Sequence, residues 1–246
     1  MSQHYDIDFI FRHWPYQPGV VSARLIRARD GRQVLQMRIE MGVLQMEITG
    51  RPDGQRPGGF DTCLDLLRSQ SQEPAEPFVL SEEQCLEIDR EFLQFYHRRI
   101  CCLALREFER AVADADHTLA LMDFVAAHSP DTEWTLSHER YRPFVHFHRT
   151  QAAALAKLEH GGPEAAIEEI DAGLERLRTA FAAVQNDHQF EQDELVGQLG
   201  ELKESLRKEY KVGRTLGEQL AEAVAAEEYE RAARLRDEIA RRQKPV

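Results

Sequence analysis

Histidines and acids that could bind a metal ion crowd into the middle of the chain. The stretch SHERYRPFVHFHR at 137–149 follows His117 and His128 and contains His138, Glu139, His146 and His148. Imidazole and carboxylate groups are common zinc ligands. However, side chains two residues apart on a helix point about 200° apart, so His146 and His148 cannot share one ion, and the H-E-x-x-H spacing does not occur. We therefore expect buried or capping histidines, with no metal and no cofactor.

Other sequence signals for catalysis are weak. The phosphate-binding pattern G-x-x-x-x-G-K-[ST] does not occur, and no nucleophile–base arrangement is visible. The cysteines Cys63, Cys85, Cys101 and Cys102 form no CxxC pair, so a structural zinc site is not expected. Cys101 and Cys102 lie in an apolar run, which favours buried free thiols. We expect a protein that is not an enzyme, with a metal-dependent enzyme in the helical body as the less favoured alternative.

The charge of the chain is uneven. The formal net charge is −12, whereas residues 203–246 carry 11 basic and 9 acidic side chains. An acidic body repels phosphate backbones, so direct nucleic-acid binding is not expected. No apolar run approaches the ~20 residues of a membrane span, and the start of the chain lacks the basic and apolar regions of a secretory signal. The expected location is the cytoplasm.

The elements that must position these residues begin with residues 1–58, which are predicted to form a small antiparallel β segment. Two apolar runs flank Asp30-Gly31, a strong hairpin turn signal. In the second run, polar residues alternate with apolar ones, as in a half-buried strand. These apolar residues are Leu35, Met37, Ile39 and Met41. A third apolar run after Gly42 predicts a third strand and hence a meander.

Residues 59–187 are predicted to form a helical body within a mainly α protein. Ser81 and the acidic residues after it are typical of a helix start. The stretch SPDTEW at 129–134 is predicted to be a loop, and Gly161-Gly162-Pro163 ends one helix and begins the next.

Two stretches of the body, from His97 and from His148, each have the pattern helix, short turn, helix. They resemble tetratricopeptide-like helical hairpins, which bury their apolar faces by stacking. A peptide-binding groove and a plain bundle core explain this pattern equally well.

Residues 188–211 are predicted to be a connecting helix and residues 212–246 a helical hairpin. Apolar residues line one face before Glu227-Glu228 and another face after it, so the chain is expected to turn there. Helices shorter than about 12–15 residues are marginal in water without tertiary packing. The hairpin must therefore dock on its own body, pair with a second copy or bind a partner.

The same residues resemble a known motif. The stretch AVAAEEYERAARLRDEI at 223–239 is similar to the UVR motif, the helical hairpin of the UvrB and UvrC excision-repair subunits that also occurs in McsA-like and Clp chaperone proteins. The helical body resembles a group of uncharacterised bacterial UVR-motif proteins, in ADADHTLALMDF and YRPFVHFHRTQAAALA. The residues that this resemblance and the apolar pattern assign to partner binding are Leu216, Leu220, Ala223, Tyr229, Ala232, Ala233, Leu235, Arg236, Asp237 and Ile239.

The resemblance implies a protein partner, because the UVR hairpin mediates protein–protein contact. It suggests a Clp-type protease or protein-kinase regulator, or an excision-repair subunit, and self-association through the hairpin. The chain lacks the phosphate-binding loop of an excision helicase or Clp ATPase and the paired CxxC zinc sites of McsA. The leading hypothesis is a non-enzymatic adaptor or scaffold. The alternative is an accessory factor of nucleotide excision repair that contacts UvrB/UvrC-like subunits.

Overall fold

A computed structural model describes residues 6–72, 77–183 and 190–242 of the chain. The chain divides into two compact units, residues 1–152 (unit 1) and residues 153–246 (unit 2). Helices dominate both units, as predicted, and a small antiparallel sheet lies in unit 1. The finer segment boundaries drawn from the sequence stay predictions.

Unit 1 contains the predicted meander. Strands β1 (Ser22–Arg27), β2 (Gln33–Ile39) and β3 (Gly42–Glu47) pair antiparallel in the order β1-β2-β3. At the first turn Gly31 has φ +88°, a left-handed conformation that glycine adopts without steric cost. Its N–H donates to the carbonyl of Ala28 over 2.9 Å. The turn signal at Asp30-Gly31 is thus confirmed.

The second face of β2 is buried, which the alternating pattern did not predict. Leu35 packs on the predicted side, against a cluster that includes Cys101 and Cys102. On the other side the Arg38 guanidinium lies 4.5 Å from the centre of the Phe11 ring, in a short helix α1 (Asp8–His13) that the sequence did not indicate.

Gln36 and Arg38 are therefore buried although they are polar. The Nε of Arg38 donates to the Trp14 carbonyl over 2.9 Å, so its charge is hydrogen-bonded rather than hydrated. Met41, predicted on the buried side, is exposed because it lies in the turn after β2.

Helices α2 (Cys63–Ser71), α3 (Glu82–Ala104), α4 (Phe108–His128) and α5 (Thr132–Glu139) follow in unit 1. Helix α6 (Arg142–His160) contains the division between the units. Helices α3 and α4 form the first of the two predicted helical hairpins.

One helix start was predicted from its neighbouring residues and another was missed. A helix begins after Ser81, as predicted, and Ser81 and Gln84 form a capping box in which each side chain bonds the backbone of the other residue. The loop prediction for 129–134 is wrong in its second half, because Asp131 caps a helix by accepting from the N–H groups of Glu133 (3.2 Å) and Trp134 (3.1 Å). The Trp134 ring then packs against the core of unit 1.

A buried ion pair joins the sheet to the helices. Arg98 of α3 bonds Asp114 of α4, with 2.7 Å between Nη2 and Oδ1, and its Nη1 donates to the carbonyls of Glu47 (3.0 Å) and Gly50 (2.8 Å). The predicted buried thiols lie close by. Burial raises the pKa values of Cys101 and Cys102 to about 12, so both remain unreactive thiols.

Unit 2 contains the end of α6 and helices α7 (Pro163–Ala183), α8 (Glu194–Tyr210), α9 (Leu216–Ala225) and α10 (Tyr229–Arg242). As predicted, Gly161-Gly162-Pro163 separates α6 from α7. Across this turn Lys157 Nζ lies 2.7 Å from Glu169 Oε2. None of the described helices combines the length and the apolar character that crossing a membrane requires.

Candidate partner-binding hairpin

Helices α9 and α10 form the C-terminal hairpin, and the turn between them lies where the sequence predicts it. Helix α9 begins with a capping box between Thr215 and Glu218. After α9 the chain reverses through Glu227, which has the left-handed φ of +57°. The N–H of Glu228 donates to the carbonyl of Ala223 over 2.8 Å, and that of Glu227 to Val224 over 3.0 Å. These bonds form a Schellman motif, which satisfies carbonyls at a helix end.

The predicted partner-binding residues fall into three groups. The buried ones, which let the helices approach closely, are Ala223 and Ala232. The half-buried ones are Leu216, Leu220, Leu235 and Ile239. The exposed ones are Tyr229, Ala233, Arg236 and Asp237. The first two groups can stabilise the hairpin, and only the third offers most of its surface to a partner.

Further apolar residues are exposed near the turn of the hairpin, in addition to the exposed residues that the sequence predicted. We define the hairpin tip as Val224, Ala225, Ala226, Tyr229 and Ala233, all of which are exposed. Val224 lies in α9 and is not one of the residues that the sequence assigned to partner binding. Its position directly before the turn was the signal for its exposure.

The opposite end of α9 is attached to α7 and α8. Glu218 Oε1 lies 2.7 Å from Lys203 Nζ and 2.5 Å from Arg207 Nη2, and Lys203 Nζ also lies 2.6 Å from Asp171 Oδ1. Burial alone would raise the pKa of Glu218, but hydrogen bonds from Lys203, the Thr215 N–H and Arg207 lower it to about 2. The hairpin is thus held at its base, whereas its tip faces solvent.

Charged side chains surround the tip. Glu227, Glu228 and Glu230 lie near the positive N-terminal end of α10, where acidic groups are favoured. Arg231 pairs with Glu228 (2.9 Å) and Arg234 with Glu230 (3.7 Å). Exposed pairs of this kind contribute only ~0.2–1 kcal/mol. They can therefore exchange partners when another protein binds.

The turn of the hairpin has a counterpart in unit 1. The string Glu-Φ-Glu-Arg-Ala, with Φ aromatic, occurs at 107–111 between α3 and α4 and at 228–232 between α9 and α10. The residue before it is left-handed in both turns, with φ +61° at Arg106. The N–H of Glu107 donates to the carbonyl of Cys102 over 2.9 Å, as that of Glu228 does to Ala223. The two turns therefore share their sequence and their backbone hydrogen bonds.

The two turns differ in the surroundings of the aromatic residue. Phe108 is 3% exposed in unit 1, whereas Tyr229 is 69% exposed in the hairpin. The alanines three residues later, Ala111 and Ala232, are buried in both turns. The aromatic ring at the second turn thus lacks the packing that its counterpart has.

The histidines of the middle region lie in the helical packing of unit 1. His138 and His148 are buried, and His138 Nε2 lies 2.9 Å from Asp89 Oδ1. His117 Nε2 lies 2.9 Å from Glu91 Oε1. Within the described ranges, no three metal-binding side chains come together.

Comparison with known families agrees with the geometry of the hairpin. Residues 214–244 match the family model described as the UvrB/uvrC motif. The C-terminal hairpin carries the UVR motif. The match spans both helices, α9 and α10, and the Schellman turn between them. Neither a curated protein nor a solved structure matches the chain, so the wider resemblance of the body stays a prediction.

Proposed function

We propose that this protein is a non-enzymatic adaptor that binds a partner protein through the tip of its UVR hairpin. The exposure of Tyr229 carries the proposal. A turn with the same sequence pattern buries its aromatic residue in unit 1, whereas the UVR hairpin presents the ring to solvent. Tyrosine is enriched among the residues that dominate binding energy at interfaces, because it combines a large apolar area with a polar end.

The chemistry around the ring suits a protein surface. Tyr229 and four small or branched apolar residues are exposed at the tip, and acidic and basic side chains lie beside Tyr229. Aromatic and apolar groups next to charged ones are typical of protein interfaces. The UVR motif is known in protein–protein interaction proteins and in excision-repair proteins.

The candidate partners follow from the motif. They are a Clp-type protease or protein-kinase regulator, and an excision-repair subunit of the UvrB/UvrC kind. A second copy of the chain is the third candidate. In each case the adaptor contacts nucleic acid through its partner only, since the chain as a whole is acidic.

The test compares three full-length proteins in affinity capture from native cell lysate, with quantitative mass spectrometry. They are the unaltered chain, Tyr229→Ala and Tyr210→Ala. Tyr210 is a matched control, since it is also an exposed tyrosine of unit 2 but lies at the end of α8. We expect the partner to be lost with Tyr229→Ala and kept with Tyr210→Ala.

The identity of the captured protein separates the hypotheses. A protease or kinase regulator supports a role in proteolysis, an excision-repair subunit supports the repair accessory, and a differently tagged copy of the chain supports self-association. Capture of the same proteins by both variants, with unchanged helical circular dichroism, would contradict the proposal. A salt-dependent shift of DNA by the purified protein would contradict indirect contact with nucleic acid.

A further inference from the structure

A cavity of about 530 Å³ lies in unit 1 between α3 and the start of α6. Its walls are largely aromatic and come from Phe92 and Tyr96 on one side and Phe144 on the other. Leu93 and Tyr141 line it too and are exposed, so solvent reaches the cavity past them. Cavities that bind small molecules in proteins have ~300–1,000 Å³ and apolar linings with a few placed polar groups.

The placed polar group is Arg99, which lines the cavity while only 1% of the residue is exposed. Its Nε donates to His148 Nδ1 over 3.3 Å, and its Nη1 donates to Thr118 Oγ1 over 3.0 Å. No hydrogen bond joins Nη2 to another described residue. No carboxylate of the described residues lies within 4 Å of the guanidinium.

The neighbouring charged groups do not neutralise Arg99. Burial lowers the pKa of Arg99 and the charge of Asp114 opposes this only in part, because the Asp114 carboxylate is held by the Nε and Nη2 of Arg98. His148 is neutral, because burial and the charge of Arg99 lower its pKa to about 4. Burial lowers the pKa of Arg99 itself to about 10, so the guanidinium is still charged at neutral pH.

A buried cation without a carboxylate partner destabilises the fold, because no ion pair offsets the free-energy cost of removing the charge from water. A bound carboxylate would offset this desolvation cost by accepting a charge-assisted hydrogen bond from the Nη2 of Arg99. The aromatic walls accept a flat apolar group by stacking. Charge and shape thus indicate a ligand with both features.

We propose that this cavity binds a small organic carboxylate with a flat apolar body, whose carboxylate bonds the Nη2 of Arg99. The single nitrogen available favours a monoanion over a phosphate, which needs more donors. The positive charge at the floor disfavours amines. The site lies in unit 1, and none of the residues that line it belongs to the hairpin.

The test uses 1-naphthaleneacetate and its neutral amide, 1-naphthaleneacetamide, as probes in calorimetric titrations of the full-length protein. The two differ in charge but hardly in shape. We expect the carboxylate to bind at least tenfold more tightly than the amide. Arg99→Met should remove this preference, whereas Arg99→Lys should keep part of it, because it retains a positive charge.

Surface variants keep the test decisive if replacing the buried Arg99 prevents folding. Leu93 and Leu86 both lie on α3 and both are 53% exposed, but only Leu93 lines the cavity. Leu93→Asp should weaken binding of the carboxylate at least tenfold, and Leu86→Asp should leave it unchanged. Equal affinities for the two probes, equal effects of the two aspartates, or no binding to the folded protein would each overturn the proposal.

Discussion

The turn between α3 and α4 and the turn between α9 and α10 have one local design in two settings. Both reverse the chain through a left-handed residue that is not glycine. In both, the next helix begins with an aromatic residue, and the alanine three residues later is buried. In unit 1 the Phe108 side chain is buried. In the hairpin α9 and α10 are short, and Tyr229 stays in solvent. The comparison teaches that local sequence determines the turn, whereas the surroundings decide whether its aromatic ring stabilises the fold or is available to a partner.

The largest expected difference is in stability. Phe108→Ala should destabilise unit 1 by ~3–5 kcal/mol, since it removes a buried ring and leaves a cavity. Tyr229→Ala should change the stability of unit 2 by less than ~0.5 kcal/mol, because the ring is exposed. Urea unfolding measures both: Trp14 and Trp134 report unit 1 by fluorescence, and circular dichroism follows the helices of both units. A similar loss in both variants would show that Tyr229 is packed in solution.

The stabilities of the two units should depend on pH in different ranges. His148 has a pKa lowered from 6.5 to about 4, first by burial and then by Arg99, so the unfolded chain takes up its proton before the folded one. The stability it contributes is full above pH 6.5 and is lost as the pH falls towards 4, by ~3 kcal/mol in all. Tryptophan-monitored unfolding between pH 7 and pH 4 checks this. His148→Gln should flatten the profile, and an equally steep profile in that variant would refute the assignment.

The stability of the hairpin base, where Glu218 pairs with Lys203 and Arg207, should fall at a lower pH than that of unit 1. The pKa of Glu218 is lowered to about 2 from an ordinary value of 4.5, so its stabilising effect is present above pH 4.5 and lost as the pH falls towards 2. Glu218→Gln should remove this dependence and cost ~1–2 kcal/mol at neutral pH, because its hydrogen bonds are charge-assisted. Amide hydrogen exchange of α9 is the measurement. Unchanged exchange in Glu218→Gln would mean that the ion pairs do not attach the hairpin to α8.

The smallest effect should be nearly the same in the two turns. Glycine adopts a positive φ without the steric cost that other residues have. Arg106→Gly and Glu227→Gly should therefore each stabilise their unit by ~0.5–1 kcal/mol. Thermal unfolding of both variants tests whether the turns share one geometry. Destabilisation in only one of them would show that the local designs differ.

Much of the fold was predictable because its signals are local. The capping residue Ser81, the turn at Asp30-Gly31 and the break at Glu227-Glu228 each depend on neighbours within a few residues. The UVR motif was recognisable for the same reason. The string shared by residues 107–111 and 228–232 is present in the sequence too, but a shared local string does not predict that one aromatic residue is buried and the other exposed.

The rest depends on contacts distant in sequence. The polar face of β2 was expected in solvent, and only the packing of Phe11 and Trp14 shows why Arg38 is buried. Arg99 has the sequence context of a surface arginine, and its burial follows from residues 19 and 49 positions away, Thr118 and His148. The burial of Phe108 and the exposure of Tyr229 likewise depend on tertiary packing.

The most direct test of the central claim is the affinity of the captured partner for two purified variants. The dissociation constant is measured by calorimetry for the unaltered protein, Tyr229→Ala and Tyr210→Ala. Removal of a central interface tyrosine typically costs ~2 kcal/mol or more, or about 30-fold in affinity. The adaptor model predicts a loss of this size for Tyr229→Ala and none for Tyr210→Ala. Equal affinities for all three proteins would contradict it and place the binding surface elsewhere in the chain.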